Sequence, residues 1–159
     1  MKPTIYIETT IPSYYFNSRP EASMVASCEW TRDWWDNYRQ DYNLVTGAAV
    51  IEELSEGNHP LKAQKLGLLD GLTLLPATEE VNRIAKVYIA CKAMPDDPKG
   101  DALHLALASV YKCDILLSWN CQHIVNYQKS GHIRQLNTSL GLHVPALLTP
   151  LELLNREIK

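Results

Sequence analysis

Apolar positions along the chain switch repeatedly between a strand-like and a helix-like period. Thr4-Ile5-Tyr6-Ile7 is a β-branched and aromatic run that reads as a first strand, closed by the turn-prone Thr9-Thr10-Ile11-Pro12-Ser13. From Glu21 to about Gln40 the spacing is helical, with Met24, Cys28, Thr31, Trp35 and Tyr38 on one stripe. Leu44-Val45-Thr46 reads as a second strand, Val50 to Ser55 as a helix stopped by Gly57, and Leu61 to Asp70 as another helix leading to a third strand, Leu72–Leu75. Thr78 is an N-cap candidate for a helix whose apolar stripe is Val81, Ile84, Ala85, Tyr88 and Cys91. After the loop from Met94 to Gly100, Asp101 opens a helix through Val110, and Ile115 to Ser118 forms a fourth strand. Gln122 to Gln128 and Ile133 to Leu140 read as two short helices, Ala146-Leu147-Leu148 as a fifth strand, and Pro150 as the first residue of a terminal helix. Alternating strands and helices, with strands apolar on both sides, predict an α/β fold: a central parallel sheet of about five strands flanked by helices on both faces.

Composition narrows the class. At 159 residues and 46% hydrophobic, the chain is expected to form a single domain over residues 1–159 with a full core. No apolar run approaches the roughly 20 residues of a membrane span, and Glu8 interrupts the N-terminal region before a leader's apolar segment can form, so the expectation is a cytoplasmic protein with no membrane association. Fifteen basic against 18 acidic residues exclude binding of nucleic acid through bulk positive charge, though not through a local basic groove. Cys28, Cys91, Cys113 and Cys121 show no metal-ligand spacing and read as small hydrophobes. Fingerprints of dinucleotide, P-loop, serine-hydrolase and zincin chemistry are absent from the sequence.

The strand ends carry oxygen donors instead. Glu8 follows the first strand, Glu52 and Glu53 lie on the helix after the second, Asp101 starts the helix before the fourth, and Asn120 stands just beyond the fourth. In α/β sheets ligands collect at that edge. Clustered carboxylates repel one another unless a hard divalent cation such as Mg²⁺ or Mn²⁺ joins them. Each residue also has a structural reading: Glu8 as a solvated strand end, Asp101 as a helix N-terminal acid, Asn120 as a turn or cap residue. Adjacent helical residues diverge by about 100°, so only one of Glu52 and Glu53 can face a common site. His104 lies one turn after Asp101 and either lines the site or is satisfied in the helix–sheet interface. His59, His132 and His143 read as loop or surface residues, and His123 has no partner at a ligand spacing. Trp30, Trp34, Trp35 and Tyr38 form a helical aromatic group suited to the core, to a dimer contact or, less simply, to base stacking.

Thr4-Ile5-Tyr6-Ile7-Glu8-Thr9-Thr10, Val50-Ile51-Glu52-Glu53-Leu54, Gly100-Asp101-Ala102-Leu103-His104-Leu105-Ala106 and Leu117-Ser118-Trp119-Asn120-Cys121-Gln122-His123-Ile124 resemble, in order and spacing, the motifs of the PIN-domain family. The resemblance implies a Mg²⁺- or Mn²⁺-dependent ribonuclease like the VapC-like toxins of toxin–antitoxin pairs, a homodimer held inactive by a small antitoxin. It implies Glu8, Glu53, Asp101 and Asn120 as catalytic residues, the first three as metal ligands, Asn120 holding a metal-bound water, and Thr9, Thr10, Ser118 and His104 as contacts to RNA or to the carboxylates. Glu8 stands where the family usually has Asp, and Asn120 where many members have a fourth Asp. Arg19, Arg83, Lys86 and Lys99 are candidate phosphate contacts. Two rival readings are a PIN-like module that binds RNA or protein without cutting, and an enzyme acting on a small phosphorylated metabolite.

Overall fold

Ile5, Tyr6 and Ile7 of β1 (Thr4–Ile7) are fully buried because β1 is the central strand of an all-parallel sheet. The computed structural model describes residues 1–96 and 100–157. The other strands are β2 (Asn43–Gly47), β3 (Thr73–Leu75), β4 (Ile115–Leu117) and β5 (Ala146–Leu148), in the order β3-β2-β1-β4-β5. Ile5 pairs with Leu44 on one side and Ile115 on the other, and Ile7 pairs with Leu117. Among the described residues eight α-helices surround the sheet: α1 (Thr10–Tyr15), α2 (Ala22–Tyr38), α3 (Ala48–Ser55), α4 (Lys62–Leu68), α5 (Glu79–Ala90), α6 (Asp101–Val110), α7 (Tyr127–Ser139) and α8 (Pro150–Glu157). None is long and apolar enough to cross a membrane.

The α/β class and all five strands match expectation, and two local readings do not. The segment taken for a turn after β1 is helix α1, with Ile11 and Pro12 buried. Pro12 lies in the first turn, where its missing N–H has no helical acceptor to lose, so it permits the helix instead of preventing it. The two short helices expected between Gln122 and Leu140 are a single helix, α7, which starts later: the Asn126 side chain accepts from Gln128 N at 2.9 Å and caps it. Gly131 interrupts the helical pattern in sequence but sits in open space within α7. Thr78 caps α5 as expected, its hydroxyl accepting from Val81 N at 3.3 Å.

Helix α2 commits its aromatic residues inward. Trp34 and Trp35 are buried in the core, Trp30 and Tyr38 are half-buried against it, and the surface that would have marked a dimer contact is thereby reduced. Helix α6 is buried along nearly its whole length, from Ala102 to Ser109, which brings polar His104 inside with it. Under α5, α6 and α7 the Tyr88 hydroxyl meets Ser109 and Asn137 at 3.1 and 2.5 Å, and Asn137 Nδ2 donates to His143 O at 2.8 Å, so these buried polar groups satisfy one another. As expected, His59 and His143 lie in loops, both half-buried, and His132 is exposed on α7.

Gly47, the last residue of β2, is required by space. Its φ of −96° suits any residue, but a Cβ there would meet Tyr6 Oη at 2.5 Å and Leu107 Cδ1 at 2.6 Å. Gly47→Ala is therefore expected to destabilise the fold by about 1–3 kcal/mol, the usual range for overpacking, read as a lower urea midpoint. An unchanged midpoint would show that Tyr6 can move aside without loss.

Candidate active site

From β1 the chain builds outward through β2 and β3, then crosses back to lay β4 and β5 on the opposite side. Strand order thus reverses between β1 and β4, and the crevice beyond their carboxyl ends is where open α/β sheets hold ligands. Glu8 and Ser118 are the residues directly after those two strands.

Glu8 is only 4% exposed. Its Oε1 accepts from Thr10 N (3.2 Å), Thr10 Oγ1 (2.5 Å) and Ser118 Oγ (2.6 Å). Burial pushes its pKa above the ordinary glutamate value, against the opposing pull of His104 and these donors. Asp101, in the first turn of α6, is likewise pushed up by burial and drawn down by His104, His123 and Asn120; Asn120 Nδ2 donates to its Oδ1 at 2.9 Å. Asn120 is fixed in turn, accepting from His123 N at 3.0 Å through Oδ1 and donating its own N–H to Ser118 Oγ at 2.9 Å.

Glu53 faces the site from α3, while Glu52 is exposed, as the divergence of neighbouring helical residues requires. Both oxygens of Glu53 are engaged: Oε1 lies 2.7 Å from His104 Nε2, and Oε2 accepts from Thr9 Oγ1 at 2.8 Å. The His104 ring is 1% exposed, with Nδ1 2.8 Å from Tyr6 Oη. Burial disfavours its charged form, but the hydrogen bond to Glu53 and the charges of Glu8, Glu53 and Asp101 prevail and raise its pKa. A carboxylate can only accept, so the proton between the two lies on Nε2.

The expected site residues therefore assemble: Glu8, Thr9, Thr10, Glu53, Asp101, His104, Ser118 and Asn120 form two linked hydrogen-bond groups at one sheet edge. Of the two readings of Thr9, Thr10 and Ser118, the structure shows the bond to carboxylates. Of the candidate phosphate contacts, Arg19 lines a cleft beside α1, Arg83 and Lys86 are exposed off the buried face of α5, and Lys99 lies outside the described residues. Two residues not singled out from sequence take part. Tyr6 reaches across from β1 to His104, and Trp119 donates its backbone N–H to Thr10 Oγ1 at 2.8 Å while stacking on Tyr14 and Trp30. The close approach of Gly47 to Tyr6 is the signal for the first, but it exists only once β1 and β2 are paired.

The donors suit a hard cation. All are oxygens, and among the described residues one oxygen each of Glu8 and Asp101 accepts hydrogen bonds while the other receives none. Among those residues no three His, Cys, Asp or Glu side chains lie close enough together to hold a metal ion, so the expected ligand set of Glu8, Glu53 and Asp101 is not gathered around one point. What fits a cation is the free oxygen on each of Glu8 and Asp101, a number of carboxylates that suits Mg²⁺ with most of its waters kept.

No family model and no curated protein matches the sequence. Among solved structures the chain is similar to one from the crystal structure of VapBC2 from Rickettsia felis bound to a DNA fragment from their promoter, at TM-score 0.52 and 14% identity over 92% of this chain and 98% of that one. It is similar also to a chain of FitAcB from Neisseria gonorrhoeae, at TM-score 0.53 and 15% identity with the same coverages. The fold is PIN-like. At such identity the likeness concerns backbone architecture alone.

Because burial works against the charge on Glu8, Glu8→Gln is expected to keep or raise the melting temperature in EDTA, by about 2–4 °C if 1 kcal/mol is recovered. The raised folded pKa makes the charge destabilising at neutral pH. The gap from wild type should close as pH falls towards the ordinary glutamate range, where Glu8 also carries a proton. A lower melting temperature for the variant at neutral pH would mean that the bonds from Thr10 and Ser118 need the charge more than burial penalises it.

Proposed function

We propose that this chain is a Mg²⁺- or Mn²⁺-dependent endoribonuclease, the toxin of a type II toxin–antitoxin pair. The observation that carries the reading is a set of three acids beyond the strand ends where strand order reverses, Glu53 bonded to buried His104 at 2.7 Å, Glu8 held by Thr10 and Ser118, and Asp101 held by Asn120. Glu8 and Asp101, held against their own desolvation, serve chemistry better than they serve stability. The fold it shares with VapBC2 and FitAcB chains supports the toxin–antitoxin setting, and with it an antitoxin partner.

Asp101 and Glu8 would hold the cation, which when bound offsets phosphate charge and makes water more acidic. The rest falls to the chain. Ser118 and Thr10 pin one oxygen of Glu8, leaving the other directed by the same bonds. Asn120 does the same for Asp101. With both oxygens occupied, Glu53 acts through hydrogen bonding, orienting the attacking water, and His104 holds it in place against repulsion from the other two acids. Tyr6 fixes the ring from behind.

The test is cleavage of a mixed pool of structured RNAs with Mn²⁺, Mg²⁺ or EDTA. Wild type should cut only with metal, and Asp101→Asn and Glu8→Gln should each lose at least about 100-fold in rate, the scale of a lost electrostatic group at a reacting centre. Equal cutting by wild type and both variants would identify a contaminant. Inert wild type that also fails to bind Mn²⁺ would favour a PIN-like module that holds RNA or protein without chemistry.

A further inference from the structure

A cleft of about 500 Å³ lies between α1, the start of α2 and the segment entering α4, lined by Ser13, Tyr14, Phe16, Arg19, His59 and Lys65 among others. Two of its lining residues bond to backbone of the segments that carry the carboxylate site. Ser13 Oγ donates to Thr9 O at 3.0 Å, one helical turn from the threonine whose hydroxyl holds Glu53. His59 Nε2 donates to the carbonyl of Leu54, the residue after Glu53, at 2.8 Å. The cleft thus neighbours the site through α1 and through the end of α3.

Its chemistry differs from that of the site. Two aromatic rings and two cations face it, and among the described residues neither Arg19 nor Lys65 has a carboxylate within 4.0 Å. Lys65 Nζ instead sits 3.2 Å from His59 Nδ1, the ring nitrogen left to accept once Nε2 donates to Leu54. Partial burial lowers the Lys65 pKa, as befits a cation with no anion beside it. Tyr14 is held rigidly: its ring stacks on Trp119 at 5.6 Å and 10°, and Trp119 stacks in turn on Trp30 at 6.2 Å and 24°. The Trp119 backbone is tied to Thr10, whose hydroxyl donates to Glu8. A rigid aromatic edge with unpaired cations is what a sequence-tolerant single-strand site requires, since every base has a stacking face and every linkage a phosphate.

We propose that this cleft binds a nucleotide of single-stranded RNA flanking the scissile phosphate, its base against Tyr14 and Phe16 and its phosphate on Lys65 and Arg19. The assignment rests on the nuclease reading for the identity of the strand.

The experiment is a fluorescence-anisotropy titration of the full chain with a labelled single-stranded RNA hexamer in EDTA, so that no strand is cut, beside an abasic oligomer of equal length. Tyr14→Ala should bind the RNA about tenfold more weakly and the abasic strand as wild type does, while Tyr14→Phe keeps both. Lys65→Gln, checked for an unchanged melting temperature, should weaken both strands and flatten the slope of log affinity against log salt by about 0.7. Wild-type binding by both Tyr14→Ala and Lys65→Gln overturns the cleft, whether or not RNA is cut when metal is restored. RNA binding that these variants lose, in a protein that cuts nothing with metal, keeps the cleft and overturns the nuclease reading. Wild type that does not hold the hexamer at all overturns both.

Discussion

The run Tyr6–His104–Glu53 is the interaction on which the site depends. Three carboxylates at one sheet edge repel one another, and the only group among the described residues placed to offset all three is a single imidazole with both nitrogens engaged. Its position is inherited from the core: Tyr6 lies on the central strand, His104 on the most buried helix, and Gly47 leaves the space through which the Tyr6 hydroxyl reaches the ring. Without the ring, a buried hydroxyl and a carboxylate would lose their partner, a loss of about 1–3 kcal/mol for each buried group left unsatisfied. The placement of Glu53 is thus a consequence of how β1, β2 and α6 pack.

A second connection runs through Thr10. Its hydroxyl donates to Glu8 and accepts from Trp119 N, so one side chain joins the end of β1, the start of α1 and the loop after β4. Trp119 carries the link outward, with Nε1 donating to Thr31 on α2 at 2.8 Å and its ring between Tyr14 and Trp30. Helix α2 reaches the site by this route, and the carboxylate geometry and the aromatic stack cannot move independently.

Much of this was legible in the sequence because it is local or follows from topology. Period and capping locate the strands and most helices, and the strand-end rule brings Glu8, Asp101 and Asn120 together without knowledge of any contact. The spacing of Asp101 and His104 placed the histidine on the same face, though not its choice of Glu53 as partner. What escaped depends on contacts between distant residues. Trp119 meets Thr31 across 88 positions, and Tyr6 meets His104 across 98, so no window of sequence reports either. Helix α1 escaped for another reason: Pro12 signals a break except in a first helical turn, and the start of that turn has no side-chain cap to mark it.

The departures from the PIN-domain pattern can be weighed by the same bonds. An aspartate at 120 could only accept, and beside Asp101 it would add a fourth negative charge to a buried group already resisting three. The amide at Asn120 donates to Asp101 and still accepts from His123 N, replacing repulsion by a hydrogen bond at each end. Glu8, longer than aspartate by one methylene, reaches over the start of α1 and accepts from Thr10 N, one of the N–H groups that a first helical turn leaves without a partner. The amide at 120 makes the site more stable with no cation present, and it lowers the negative charge that would draw a cation in. On the proposed metal-dependent reading, the same amide would weaken cation binding in the free protein, and cation affinity would come to depend on what substrate phosphate adds.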